Sequence, residues 1–446
     1  MRQLGPAAYV AFIAALFLST SSHAELIFGS YGRVGVGTNL DGRSGQTIEV
    51  TRHGPRIEER PYAEIDFAYH SRSSAEFETH LTLGLGESLF HSDGTFDSSI
   101  AVRNLYLEWK DFGRQGLDIW AGSRMYRGDD IYLLDFWPLD EQNTLGAGVT
   151  YARNGHETRV HIGVHRLNDP FQIQTIQVPD LEYGTRDVAF MERQRGIATL
   201  RHQALHDVSD TVGFKWVAYT EAHGLPRGVF REDDLDTINL PSDWGILAGA
   251  ELSVFKKDSS NYFNIFFKYA TGLATVDELE VPTKASLQER TAGSHEYLVG
   301  TSANYERGDW AILLGSYARY YLDADDNVYD FDDRFEVATA IRPTYYLSDN
   351  VHLLTEASLQ VLRPNGISPV TQEHDVPMAF QVAFMPTLAA AKGSYARPHL
   401  RLIVATTFQN DDAKALFAEE DPRSQHSRHD YVGLLAEWWF NSSRYQ

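Results

Sequence analysis

The chain has no cysteine, which excludes a disulfide framework, thiolate metal sites and a lipidated N-terminal Cys. Past the N-terminal segment, no stretch reaches the roughly 18 consecutive apolar residues that a transmembrane helix needs. Stripes of 3.6-residue period are almost missing, so an all-helical fold is excluded as well. Basic residues are in short supply: Lys plus Arg number 39 against 61 Asp plus Glu, a net charge of −22. That sign makes nucleic acid an unsuitable partner, because phosphate contacts need a basic surface. Neither a Gly-rich phosphate loop nor zinc-ligand spacing occurs, so no cofactor and no metal are expected.

What is present begins with a short address. Residues 1–24 carry one basic residue at Arg2, an apolar run from Ala7 to Leu18 and the small-x-small triplet Ser22-His23-Ala24. This pattern predicts a secretory signal peptide cleaved before Glu25, with 25–446 forming one domain. Aromatic residues are plentiful, with Tyr 23, Phe 24 and Trp 8 against only 16 Pro.

The rest of the chain repeats stretches of about ten residues with alternating polarity, separated by turn chemistry. In Ala75–Leu83, for example, Phe77, Thr79, Leu81 and Leu83 share one face while Glu76, Glu78, His80 and Thr82 share the other. Alternation alone does not separate a soluble sandwich from a membrane barrel; connection lengths do. Short links such as Lys110–Gly116, Asn154-Gly155-His156 and Ser348-Asp349-Asn350 alternate with long ones near 38–58, 87–98, 125–144, 167–192 and onward to 409–428. Lipid offers no hydrogen bonds to an exposed backbone, so a sheet in a bilayer must close on itself. The expected fold is therefore all-β: a transmembrane antiparallel up-and-down β-barrel of about 18 strands, with short periplasmic turns and long outer loops. Interface girdles are expected at Trp109, Trp120, Trp310, Tyr345, Tyr346, Trp438 and Phe440.

The segment Ile119–Val149 is the least ordinary. It leaves a strand, mixes Arg124, Arg127, Asp129, Asp130 and Asp135 with Tyr126, Tyr132, Phe136 and Trp137, and returns to a strand at Gly146. A long connection this rich in rings is expected to fold back onto the protein.

Six segments then resemble one family. They are Gly29-Ser30-Tyr31-Gly32-Arg33-Val34-Gly35, Pro61-Tyr62-Ala63-Glu64-Ile65, Trp120–Tyr126 with Asp130–Phe136, Ile341-Arg342-Pro343, Ala396–Arg401, and Ala436-Glu437-Trp438-Trp439-Phe440. In this order they are similar to the maltoporins, the sugar-specific porins. The resemblance implies a homotrimer in outer-membrane lipid whose third loop, Met125–Thr144, folds into the lumen as a constriction. It also implies a lane of aromatics for oligosaccharide: Tyr31, Tyr62, Tyr395 and Trp439, with Phe96 and Phe267 at softer positions. Opposite the lane it implies a polar track of Arg33, Glu64, Arg103 and Asp135, with Arg56 or Arg60 near another family arginine. A pyranose has an apolar C–H face that packs on a ring and a rim of hydroxyls that needs donors and acceptors, so the division of labour is physically sound. Two departures stand out: Trp137 occupies a tyrosine position, and the loop arginine falls on Gly128, with Arg127 one residue away.

Function is thus expected to be passive, sugar-selective diffusion across a bacterial outer membrane, with no enzymatic activity. The alternatives are a general cation-preferring pore, suggested by the acidic balance; a barrel hydrolase using His70-Ser71; and a secreted carbohydrate-binding β protein. Asp323-Ala324-Asp325-Asp326-Asn327 opens like a calcium loop, but Val328 and Arg334 stand where Gly and Glu belong, and an acidic outer loop is expected there.

Overall fold

The computed structural model describes residues 24–43, 47–57, 60–72, 76–87, 89–90, 98–165, 172–179, 184–231, 237–275, 291–324 and 333–441. Of the proposed leader 1–24, residues 1–23 lie outside these residues, as do Phe96, Tyr445 and the whole segment 325–332.

Alternating polarity produces strands throughout. In order they are β1 (Ala24–Thr38), β2 (Tyr62–Arg72), β3 (Glu76–Glu87), β4 (Ser98–Lys110), β5 (Leu117–Arg127), β6 (Glu141–Arg153) and β7 (His156–His165). A small hairpin, β8 (Ile173–Pro179) and β9 (Thr185–Met191), precedes β10 (Arg195–Asp207) and β11 (Val212–Leu225). A second hairpin, β12 (Gly228–Arg231) and β13 (Thr237–Leu240), leads to β14 (Asp243–Lys256), β15 (Tyr262–Gly272), β16 (His295–Arg307) and β17 (Trp310–Leu322). The sheet finishes with β18 (Arg334–Tyr346), β19 (Val351–Pro364), β20 (Met378–Ala389), β21 (His399–Gln409) and β22 (Arg428–Phe440), the last two joined through short helices α1 (Asp411–Lys414) and α2 (Pro422–Gln425).

Eighteen of these strands form one antiparallel sheet. β1 pairs with β2 on one side and with β22 on the other, Gly32 standing opposite Trp438, so the sheet has no free edge. Among the described residues no helix is long and apolar enough to cross a membrane; the crossing elements are the strands.

Strand period sets the two faces of the wall. On β21, His399, Arg401 and Ile403 are buried inside while Leu400, Leu402 and Val404 are exposed outside. Links at one end are tight: Asn154 (φ 52°) and Gly155 (φ 78°) turn β6 into β7 with the two positive φ angles that a two-residue hairpin requires. At the other end the connections are long.

Most expected girdle residues do face outward. Trp310 packs on Tyr345 at 4.6 Å and Trp109 on Phe77 at 4.6 Å, all four at the short-turn end, while Phe440 and Phe28 are 5.7 Å apart on the outer surface. Trp120 and Tyr346 are corrections: each is only 3 % exposed and points inward. Trp120 shares its parity on β5 with Arg124 and Tyr126, and the three meet inside, Arg124 lying 5.4 and 4.8 Å from the two rings.

Candidate functional site

The connection between β5 and β6 turns inward. Gly128 donates its N–H to the Asp140 carbonyl at 3.1 Å, closing the neck, and Arg201 on β10 holds the Asp140 carboxylate at 3.1 Å. Beyond the neck, Tyr132–Leu134 form one 3₁₀ turn that ends at Asp135 with φ 48°, a left-handed position that Asp tolerates better than most residues. Ile131 and Phe136 bridge across this turn, Ile131 N–H donating to the Phe136 carbonyl at 2.7 Å.

Its apolar side chains find sockets on one wall. Ile131, Leu133, Leu134, Phe136 and Leu139 bury themselves against Tyr219, Leu247, Phe266, Leu298, Leu313 and Tyr317. Two glycines make room: a Cβ at Gly300 would come within 2.9 Å of Ile131, and one at Gly315 within 2.8 Å. Burying each such side chain is worth about 1.5–3 kcal/mol, so the loop is held by packing along this side.

The segment 47–57 also folds inward, a feature not anticipated from the sequence. Gln360 on β19 accepts from Val50 and Thr51 N–H at 2.9 and 3.2 Å and donates to the Ile48 carbonyl at 3.0 Å. His53 stacks on Phe136 at 4.0 Å, and Arg56 N–H donates to the Leu133 carbonyl at 3.1 Å. The first long connection is thereby laid upon the third.

What remains open is a cavity of about 910 Å³. Tyr31, Tyr62, Tyr395 and Trp439 all line it, as do Arg33, Glu64, Arg103, Arg127, Asp135 and Trp137. Tyr31 and Tyr62 sit with ring centroids 6.1 Å apart. Tyr31 donates to Glu437 at 3.3 Å while Arg33 and Arg56 donate to its hydroxyl at 3.3 and 3.2 Å. Tyr62 donates to Glu64 at 2.6 Å, and Arg103 bonds to both of them.

Arg103 reaches this position through a β-bulge. The β3–β4 register slips so that Thr82 faces Asn104 but Leu83 faces Val102, leaving Arg103 as the extra residue. Arg103 and Asn104 consequently both line the cavity although they are neighbours in sequence.

The constriction is rich in charge of both signs. Asp135 meets Arg56 at 3.5 Å and Arg33 at 3.8 Å, linking the loop tip to the opposite wall. Lys215 binds Asp129 and, at 2.8 Å, Glu251. Among the described residues that line the cavity, five are basic (Arg33, Arg56, Arg103, Arg127, Lys215) and five carry carboxyl groups (Glu64, Asp129, Asp130, Asp135, Glu437). Between the alternatives Arg56 and Arg60, Arg56 lines the cavity; Arg60 offers its carbonyl to Arg33 at 3.0 Å.

The departures in the loop have local causes. A Cβ at Gly128 would run into the Asp140 carboxylate, which would have to leave its place beside Arg201 to admit a side chain there. Arg127 supplies the guanidinium instead, paired with Glu141 at 3.0 Å and lying 3.7 Å from the Trp137 ring centroid. The bulkier indole thus serves as a platform for Arg127.

Phe267 must be corrected. It is 42 % exposed on the outer face of β15, with Tyr262, Asn264 and Phe266 on the inner face. Tyr262 lines the cavity and is 2.5 Å from the Tyr395 hydroxyl; Tyr132 of the loop stands edge-on to Tyr395 at 5.4 Å. These two rings were missed, though the polar Asn264 and Lys268 two and six residues after Tyr262 mark its face as the inner one. His70 and Ser71 lie on opposite faces of β2, His70 paired with Glu78 at 2.8 Å; that arrangement provides no His–Ser contact.

A family model described as LamB porin matches residues 26–440. The chain belongs to the LamB porin family. This porin is accordingly an outer-membrane channel, its long loops on the outer side and its short turns toward the periplasm. Solved structures of similar form include Acinetobacter baumannii OccAB1, at 9 % identity and TM-score 0.46 over 94 % of this chain and 96 % of that one. Others are Pseudomonas aeruginosa OpdO (10 %, TM-score 0.43, 94 % and 97 % covered) and the trimer form of Vibrio cholerae OmpT (10 %, TM-score 0.38, 94 % and 100 % covered). Likeness at this level says nothing of substrate or assembly.

Proposed function

We propose that this porin is a passive, sugar-selective channel for maltodextrin-like oligosaccharides, exported by its N-terminal segment and working as a homotrimer. One observation carries the reading: Tyr31, Tyr62, Tyr395 and Trp439 share a single cavity with Arg33, Arg103, Glu64 and Asp135. Rings take the apolar faces of successive pyranoses, and the guanidinium and carboxylate groups exchange hydrogen bonds with the hydroxyl rim. Arg33, Arg56 and Arg103 are already bonded to tyrosine hydroxyls, which keeps the rings fixed while leaving donors at their edges. Many weak, equivalent positions let a sugar enter and also leave, as conduction requires.

A cation-preferring pore is the rival suggested by the net charge of −22. Among the described residues, the five basic and five carboxyl side chains that line the cavity give that rival no support.

Planar-bilayer conductance with added maltotriose tests the proposal. Concentration-dependent block is expected, and Trp439→Ala or Tyr395→Ala should weaken block more than they alter open conductance. A current untouched by every oligosaccharide in a panel would refute sugar selectivity and leave the pore standing. Heat-modifiable migration of a trimer in detergent tests the assembly.

A further inference from the structure

A second cluster of titratable side chains lies below the constriction, toward the short turns, on the inner face of β2–β4. Glu78 on β3 stands directly opposite Glu108 on β4, with His70 of β2 on its other side. Two carboxylates facing each other across neighbouring strands repel unless a cation sits between them. Lys110 now holds that place, 2.9 Å from Glu108 and 3.8 Å from Glu78.

The donor set around this place is that of a transition metal. Glu78, His80 and Glu108 each present a ligand atom, all within 4.8 Å of one another. Small inward rotations bring such atoms to the separation of about 3.4 Å set by zinc bonds of about 2.0–2.2 Å in tetrahedral geometry. Glu78 is already oriented: Oε1 is held by His70 Nδ1 at 2.8 Å, and Oε2 lies 3.2 Å from His80 Nε2. The His80 ring is fixed by stacking on Tyr106 at 4.6 Å and 18°. A hydrogen-bonded carboxylate and a clamped imidazole are the outer-shell supports that metal sites use. His80 and Glu108 are 5 % and 3 % exposed, whereas the Lys110 side chain is 27 % exposed, so the approach from the lumen passes through the lysine.

We propose that Glu78, His80 and Glu108 form a site for a divalent ion of the zinc class, with His70 orienting Glu78 and Lys110 as the competing cation that the metal displaces. Two neighbouring strands, β3 and β4, supply the ligands and β2 supplies the orienting His70, so the donor set is assembled by the sheet before the ion arrives. Arg124, 2.9 Å from Glu108, and Asp118, 3.2 Å from Lys110, complete its charged surroundings. This inference does not depend on the sugar proposal.

Calorimetric titration of the detergent-purified protein with zinc chloride tests it, heat-modifiable migration confirming that each variant is a folded barrel. One ion per chain is expected for the unaltered protein. His80→Gln should weaken binding about tenfold or more, and Lys110→Met should tighten it several-fold by removing the competitor. The opposite signs separate a site from general damage. Absence of zinc uptake, or His80→Gln binding like the unaltered protein because other histidines take the ion, would overturn the proposal. So would Lys110→Met binding no more tightly.

Discussion

The two walls that enclose the cavity are built on opposite principles. Along β11 and β14–β18 an apolar, socketed patch, set among buried ion pairs such as Lys268–Glu296, grips the inward loop through Ile131, Leu133 and Phe136. Along β1–β4 and β22 it carries Tyr31, Arg33, Tyr62, Glu64, Arg103 and Glu437 joined by hydrogen bonds, and it faces the open space. Packing is insensitive to solvent and salt but intolerant of volume; a polar network is the reverse. One wall fixes the size of the passage and the other its chemistry.

Substitutions on the gripping wall should have the largest effect. Gly315→Leu would drive a side chain into Ile131 and Leu133, overpacking that costs about 1–3 kcal/mol, and the loop should lose its seat. Single-channel recording should show higher and noisier conductance; an unchanged trace would mean that the loop is not held there.

On the facing wall the same experiment should give a different signature. Glu64→Gln leaves Arg103 with one fewer countercharge, so permeability should shift toward anions, read from the reversal potential across a salt gradient, with conductance nearly unchanged. If conductance moves as far as with Gly315→Leu, the two walls are not distinct. Between them, Arg56→Ala cuts the bridge to Asp135 and the contact with the Tyr132 ring 5.0 Å away. The apolar grip remains, so a modest rise in current noise is expected without the full change in conductance.

The smallest effect should come from outside the lumen. Asp421, cap of α2, is held at about 2, below the ordinary carboxylate range, chiefly by hydrogen bonds from the Arg423 side chain and N–H. A depressed folded value means that its stabilisation is complete above the unfolded value near 4 and is lost as pH falls toward 2. Amide exchange in 422–425 should accelerate over that window, and Asp421→Asn should remove the dependence while leaving current unaltered.

The barrel was legible because alternation and connection length both report the wall, and the inward loop because its rings and charges do not suit solvent. Tyr31, Tyr62, Tyr395 and Trp439 were found through resemblance alone. Phe267 was misassigned because β15 has large apolar residues on both faces, Phe263 and Phe267 outside and Phe266 inside; the parity of Asn264 and Lys268 is the better guide. The inward course of 47–57 left no trace, since its apolar Ile48, Val50 and Ile57 are too few to mark a pattern. Their burial depends on Gln360, Leu354 and Leu362, three hundred residues along the chain. The bulge at Arg103 is equally silent, being a property of how two strands pair.

The glycine sockets have a consequence for what the narrow point depends on. Ile131 belongs to an early part of the chain, and Gly300 and Gly315 belong to strands made long after it. Without β16 and β17 in the sheet, Ile131 lacks the two glycine clefts that seat it, and the loop loses part of its grip. The narrow point is thus a property of the closed sheet and not of the loop alone.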